Sequence, residues 1–216
     1  MVGSMNVLIV GGHGKVAMRL EKLLADRDDT PRGIIRDPAH AADLEQVGAT
    51  PIVLDIENRE IGDAVAGSDA VVFAAGAGPG SGPARKRTVD YGGAVALMEA
   101  ALTHDVRRYV MVSAIGADRP ERWSEEMRPY YEAKAEADRV VSESGLDYTI
   151  VRPGSLTDEP GTGLVAAAER IDGVGSIPRD DVALAIAEAL VADNTKGKAF
   201  DLLSGDTPVG EAIRSL

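Results

Sequence analysis

The sequence predicts an α/β protein with a doubly wound parallel sheet and a small irregular lobe near the C-terminus. From residue 6 to residue 151, short and almost continuously apolar segments alternate with amphipathic ones. Strands buried on both faces have this composition, and helices between them make the crossovers that parallel strands require. Small or polar residues follow the strand ends, and right-handed crossovers bring such ends to one crevice.

The predicted elements follow from the apolar periodicity and the turn residues. Strands are expected at 6–10, 30–36, 50–54, 69–75, 107–113, 148–151 and 198–203. Helices are expected at 16–24, 39–47, 57–66, 86–104, 129–144, 164–170, 180–193 and 208–216. We expect a single domain whose glycine-rich residues 154–178 form a lobe on the substrate side. Residues 1–4 precede a second methionine, resemble a vector-derived extension and are left out of this prediction.

The composition narrows the classes of function. The chain has 216 residues, 23 basic and 35 acidic side chains and a net charge of −12, which argues against a nucleic-acid partner. The absence of cysteine excludes a thiol nucleophile and fits a cytoplasmic location. The sequence has no apolar run of bilayer length, so we expect no membrane partner. Its three histidines lie in separate segments, so we expect no metal site.

A glycine-rich turn follows the first strand and leads directly into a helix. It reads Gly11-Gly12-His13-Gly14-Lys15-Val16-Ala17, which fits the dinucleotide fingerprint from Gly12 and a variant spacing from Gly11. In such a turn, backbone amides approach a pyrophosphate that the helix N-terminus attracts. We therefore predict that residues 11 to 16 bind a dinucleotide. A plain strand–helix turn is the alternative.

Arg36 and Asp37 follow the second strand, where a dinucleotide fold meets the adenosine ribose. Arginine there accommodates a 2′-phosphate, whereas an acidic residue binds the 2′-hydroxyl. Arg36 thus favours NADP, Asp37 leaves NAD open, and a solvated turn is the other interpretation. Asp55, with Ile56 beside it, follows the third strand. Asp55 either accepts a hydrogen bond from the adenine amino group or caps the next turn.

Small residues end the fourth strand. A cofactor can lie against Ala74, Ala75 and Gly76, although tight packing of a helix on the sheet would use the same residues. The loop 76–83 is so rich in glycine that we expect it to order when a ligand binds.

Tyr130 and Lys134 stand four residues apart at the start of a predicted helix, so they share one face. An ammonium group near a phenol lowers the pKa of the phenol, which suits Tyr130 to proton transfer. Lys134 can also hold a nicotinamide ribose. Ser113, at the end of the fifth strand, is placed to bond a substrate carbonyl oxygen. An ordinary surface Tyr/Lys pair is the other interpretation.

These features resemble the atypical short-chain dehydrogenases/reductases, in the compact NAD(P)-binding branch with NmrA-like and epimerase-like members. The resemblance rests on residues 11–17, 36–38, 89–93, 109–113, Tyr130-x-x-x-Lys134, 144–154 and 200–206. It implies a Rossmann fold, and it implies that Pro153 and Gly154 lie beside the nicotinamide. The chain departs from the family at Ala114, where a second serine or threonine is common.

The sequence therefore predicts an NADP(H)-dependent oxidoreductase, with NAD(H) as the other cofactor, acting on a small carbonyl or alcohol. In this prediction Tyr130 transfers the proton, Lys134 tunes it and Ser113 polarises the substrate oxygen. Two alternatives remain, a non-catalytic redox sensor and a sugar-nucleotide epimerase. A monomer and a homodimer are both compatible with the sequence.

Overall fold

The computed structural model describes residues 3–58, 61–78 and 80–216. The strands are β1 Asn6–Val10, β2 Thr30–Ile35, β3 Thr50–Val53, β4 Ala70–Phe73, β5 Arg108–Val112, β6 Asp147–Pro153, β7 Ser155–Thr157, β8 Leu164–Ala168, β9 Ser176–Pro178, β10 Lys198–Ser204 and β11 Thr207–Pro208. The α-helices are α1 Lys15–Ala25, α2 Ala41–Gln46, α3 Gly62–Val65, α4 Pro83–Arg85, α5 Ala94–Thr103, α6 Arg128–Ser142, α7 Arg179–Val191 and α8 Val209–Arg214. A π-helical stretch, Lys86–Gly93, joins α4 to α5. Within these residues, no helix has both the length and the apolar character needed to cross a membrane.

In the described part of the chain, nine strands form one sheet in the order β11-β8-β10-β6-β5-β4-β1-β2-β3. The seven neighbouring strands from β10 to β3 in this spatial order run parallel. Strand β8 pairs antiparallel with β10 and β11. The chain moves outward from β1 to β3, then returns to place β4 on the other side of β1. The strand order therefore reverses between β1 and β4, which is where such folds open their ligand crevice. The predicted doubly wound Rossmann-like fold is confirmed.

The core has two layers because β1 is buried on both faces. Val7 and Ile9 belong to the apolar cluster that includes α1 and α7, while Leu8 and Val10 belong to the cluster that includes α5 and α6. Successive side chains of a strand point to opposite faces, so a continuous apolar run serves both layers at once.

The segment 164–170 is a strand over Leu164–Ala168, so the predicted helix there is wrong. Its alanines favour a helix locally, but the unpaired edge of β10 offers a full ladder of hydrogen bonds, and this pairing outweighs the propensity. The lobe is also less irregular than expected, since β7 and β9 form a two-stranded parallel sheet.

Two predicted segments are only partly described. The predicted helix 57–66 contains residues 59 and 60, which lie outside the described residues, and its described parts are a 3₁₀ turn and α3. The predicted mobile loop 76–83 contains Pro79, which is also outside them.

Glu21 is a buried carboxyl group on the inner face of α1. It is fully buried, and neither carboxyl oxygen has a hydrogen-bond partner among the described residues. Its Oε1 atom lies so near Gly12 that a Cβ there would be 2.9 Å away, and Gly33 leaves still less room. Burial disfavours the charged form and raises the pKa of Glu21 to about 8. The group is therefore mostly uncharged at neutral pH.

We expect Glu21→Gln to flatten the dependence of stability on pH. In the unfolded chain Glu21 ionises near its ordinary value of 4.5, whereas the folded protein keeps the proton until about pH 8. The free energy of unfolding of the wild type therefore falls as pH rises through this window, by about 5 kcal/mol in total. Urea unfolding at several pH values across the window measures the slope. Glu45→Gln, on the exposed side of α2, is the control. Equal slopes for the wild type and Glu21→Gln would contradict the assignment.

Candidate functional site

The turn after β1 is closed by glycine geometry. Gly11 has a φ of +85°, and a Cβ on it would lie 2.8 Å from the Cα of Ala75. The amide of Gly14 donates to the carbonyl of Gly11 over 2.7 Å, and the amide of Gly12 donates to Ile34 in β2 over 2.9 Å. Only glycine accepts both the positive φ and the close backbone at position 11. The end of β1 is thus held tightly between the ends of β2 and β4.

The N-terminus of α1 offers free amide groups next to this turn. The first intrahelical hydrogen bond runs from Met18 to Gly14, so the amides of residues 15 to 17 precede it. No side chain of the described residues caps this end. The Val16 side chain lies in the core, and the Lys15 side chain pairs with Asp158. Lys15 and Val16 therefore face the turn through their backbone, which suits an anion such as a pyrophosphate.

A cleft of about 400 Å³ lies over the turn and brings together seven of the predicted cofactor-binding residues. Its lining includes Gly11, His13, Gly14, Arg36, Asp37, His40, Ala74, Ala75 and Gly76. The imidazole rings of His13 and His40 stack at 3.7 Å in its wall, and His13 Nε2 lies 2.8 Å from Asp43 Oδ2. The glycine turn, the open amides and this cleft together fit a dinucleotide.

The side chains of Arg36 and Asp37 differ in how far they are already engaged by other groups of the protein. The Asp37 carboxylate accepts a hydrogen bond from the amide of Ala39 over 2.9 Å and caps a 3₁₀ turn. The Arg36 guanidinium is more than half exposed beside the cleft, with Nη1 3.7 Å from Glu57 Oε2. The acidic side chain is thus engaged with backbone, while the basic one stays accessible.

Asp55 and Ile56 are not part of this cleft, as far as the structure describes its lining. The Asp55 carboxylate accepts a hydrogen bond from the amide of Glu57 over 3.0 Å. Of the two interpretations of Asp55, capping of the turn is the one for which the structure shows a contact.

The Tyr130, Lys134 and Ser113 side chains come from α6 and the end of β5. Lys134 is buried, and its Nζ donates to the carbonyl of Val112 over 3.1 Å, one residue before Ser113. This Nζ also lies 3.3 Å from Asp90 Oδ1 and 6.0 Å from the centre of the Tyr130 ring. The three predicted residues therefore lie close together, and Asp90 joins them.

The sequence predicts that Lys134 lowers the pKa of Tyr130, but in the structure this pKa is raised. The phenol is half-buried, and burial raises its pKa above the ordinary value. The Lys134 ammonium opposes this rise without cancelling it, and the negative charge of Asp90 adds to the rise. At neutral pH Tyr130 is therefore a protonated phenol.

Pro153 and Gly154 lie beside this cluster, where β6 ends. The carbonyl of Pro153 accepts a hydrogen bond from Ile115, two residues beyond Ser113, over 2.9 Å. Gly154 donates to Leu202, and a Cβ on it would be 2.5 Å from the carbonyl oxygen of Gly175. Close packing against the lobe is thus sufficient to explain this glycine.

Asp90 and Asp138 were missed as candidates. Asp138 is buried one helical turn after Lys134 and accepts a hydrogen bond from Arg152 Nε over 2.8 Å. Burial raises the pKa of Asp138, while Arg152 and the Ser113 hydroxyl oppose the rise. The i, i+4 spacing from Lys134 is a signal that places Asp138 on the same face. An acid among apolar residues in segment 89–93 was the corresponding signal for Asp90.

We expect Gly11→Ala to destabilise the protein more than a matched change at Gly67. Gly67 has a φ of +73°, yet a Cβ there would have no described atom within 4 Å. Both substitutions carry the strain of a positive φ, roughly 1–2 kcal/mol. Only Gly11→Ala adds overpacking against the Ala75 backbone, worth about 1–3 kcal/mol more. Chemical unfolding measures the difference, and equal losses would show that the close approach is unimportant.

Comparison with known proteins places the chain in a family. The family model for NAD(P)H-binding proteins matches residues 11–193. The uncharacterized sugar epimerase YhfK of Bacillus subtilis is 42% identical, over 98% of this chain and 100% of its own.

Two solved structures extend this similarity to the fold. A Bacillus halodurans protein, described provisionally as an NAD-dependent epimerase/dehydratase, has a TM-score of 0.95 and 38% identity, covering 99% of this chain and 100% of its own. The oxidoreductase ylbE of Lactococcus lactis has a TM-score of 0.86 and 31% identity, covering 98% and 96%. The chain belongs to the NAD(P)H-binding family of Rossmann-fold oxidoreductases and epimerase-like proteins.

Proposed function

We propose that the protein is an NADP(H)-dependent oxidoreductase that reduces a small carbonyl compound. The observation that carries this proposal is a protonated phenol, Tyr130, whose ring centre lies 6.0 Å from Nζ of the buried Lys134, which in turn donates to the Val112 carbonyl next to Ser113. A phenol that keeps its proton at neutral pH is suited to donate it to a developing alkoxide. The cysteine-free composition supports a cytoplasmic location for this activity.

The preference for NADP over NAD rests on Arg36. Its exposed guanidinium lies in the lining of the cleft, after β2, where the adenosine ribose lies in this fold. Guanidinium groups bind phosphates bidentately through charge-assisted hydrogen bonds. The carboxylate of Asp37, which would favour NAD, already accepts a backbone hydrogen bond.

In this mechanism, a reduced nicotinamide held in the cleft would supply the hydride that the carbonyl carbon accepts. Ser113 donates a hydrogen bond to the carbonyl oxygen and orients it. Tyr130 would give its phenolic proton to that oxygen, so that the carbonyl becomes an alcohol. Lys134 stabilises the phenolate left behind, because its ammonium group is buried close to the ring. Pro153 and Gly154 line the nicotinamide side of the crevice.

We expect Arg36→Ala to weaken NADPH binding by about 10- to 100-fold, through the loss of a charge-assisted contact to the 2′-phosphate. NADH binding should change by less than about threefold, since NADH has no such phosphate. Isothermal titration with both nucleotides measures the two dissociation constants. Arg85→Ala is the matched control, because Arg85 pairs with the same Glu57 but lies outside the described cleft lining. Equal losses for NADPH and NADH would refute the role of Arg36.

We expect Tyr130→Phe to lower turnover by about 10²- to 10⁴-fold, the usual contribution of a general acid. The dissociation constant for NADPH should change little, because the hydroxyl is assigned to the substrate. NADPH oxidation with a panel of small aldehydes and ketones measures turnover, and Tyr131→Phe is the neighbouring control. Undiminished turnover in Tyr130→Phe would refute the mechanism. Nucleotide binding without turnover in the wild type would favour the redox sensor.

A sugar-nucleotide epimerase is the second candidate, supported by the 42% identity to YhfK, which is described as a sugar epimerase. An epimerase moves a hydride from the substrate to the oxidised cofactor and then returns it, so there is no net consumption of the cofactor. Incubation with nucleotide sugars, followed by chromatography of the sugars and absorbance of the cofactor, separates the two. Epimerised sugar without net cofactor oxidation would favour this candidate over the reductase.

A further inference from the structure

Asp90 joins the cofactor cleft to the Tyr130–Lys134 pair. Its carboxylate is buried, and it lies on the π-helical stretch Lys86–Gly93. One oxygen, Oδ2, accepts a hydrogen bond from the amide of Ala77 over 3.1 Å. The other, Oδ1, lies 3.3 Å from Lys134 Nζ. A single carboxylate therefore contacts both the chain that leaves β4 and the lysine of α6.

The Asp90 carboxylate lies close to the backbone that lines the cofactor cleft. A Cβ on Gly76 would lie 3.3 Å from Asp90 Oδ1, and Gly76 is itself part of the cleft lining. Asp90 thus lies directly behind the backbone that faces the cofactor. A π-helical turn shifts the register of side chains within a helix, and such turns often occur at functional sites.

The charges around Tyr130 show what Asp90 offsets. The Lys134 ammonium is almost completely buried, and so is the Asp90 carboxylate. Lys86 Nζ lies 5.4 Å from the centre of the Tyr130 ring, and Asp138 and Tyr131 are the other titratable groups that act on the phenol. Both lysines favour a phenolate. Asp90 is the carboxylate in direct contact with Lys134, so it reduces the positive charge that the phenol experiences.

We propose that Asp90 is a positioning residue that holds Lys134 and the Gly76–Ala77 backbone in one arrangement and offsets the positive charge of Lys134 beside the Tyr130 phenol, which keeps its proton. The use of that proton in carbonyl reduction rests on the proposed function. The charge balance itself is a property of the free protein. Asp90 acts through its contacts with Lys134 Nζ and the Ala77 amide.

The test is a spectroscopic titration of Tyr130 in the full chain without cofactor. Asp90→Asn removes the charge but keeps an oxygen that accepts the Ala77 hydrogen bond. The phenolate absorbance of each protein, minus that of the same protein carrying Tyr130→Phe, isolates Tyr130 among the five tyrosines. We expect the midpoint of Tyr130 to move to lower pH in Asp90→Asn. Glu99→Gln, an exposed charge removal on α5, should leave the midpoint unchanged.

Measurements of nucleotide binding distinguish the effect of the Asp90 contact with Lys134 from the effect of its hydrogen bond with Ala77. Asp90→Asn should bind NADPH like the wild type, whereas Asp90→Ala should raise its dissociation constant about 2- to 10-fold, the effect of one lost hydrogen bond. If Asp90→Asn does not fold because the buried Lys134 loses its neighbouring carboxylate, Asp90→Ser provides a smaller side chain and space for water around Lys134. A midpoint that stays unchanged or rises would overturn the proposal. A wild type that binds no nicotinamide nucleotide would instead refute the proposed function, and the titration would still decide the role of Asp90.

Discussion

The close approach of two backbones at the ends of β1 and β4 is the constraint on which the site depends. Gly11, at a φ of +85°, leaves 2.8 Å between a notional Cβ and the Cα of Ala75. The two strands are parallel neighbours, so the turn after one lies beside the end of the other. Any side chain at this point would separate the strands or fill the cleft. The spacing is what leaves the helix N-terminus and the end of β2 facing the same space.

Buried ionisable groups surround this site, and each is accommodated differently. Glu21, under the glycine turn, keeps its proton. The buried Lys134 Nζ contacts the Val112 carbonyl and the Asp90 carboxylate, which replace the water lost on burial. Asp138 is compensated by Arg152. Such a concentration of perturbed groups at a crevice is typical of functional sites, since burial is what tunes the pKa of an acid or base.

Most of the fold could be predicted because its signals are local. The apolar runs and the glycine turn place β1, and apolar runs likewise place the other strands up to β6. The segment 164–168 could not be predicted, since its strand forms by pairing with residues 201–204 and 207–208, far along the chain. The strands β7 and β9 have the same origin, because each is too short to carry a pattern of its own.

By itself, the sequence determined the spatial relation of residues that are only a few positions apart in the chain. The glycine spacing after β1 predicts the turn from neighbouring residues alone, and Tyr130 and Lys134 share a helix face because four residues separate them. Only the tertiary structure decided how these groups are charged and engaged. The pairing of Asp90 with Lys134 joins residues 44 positions apart, and the net rise in the pKa of Tyr130 follows from burial by other segments. Electrostatic environment depends on everything packed around a group, and no local pattern contains that information.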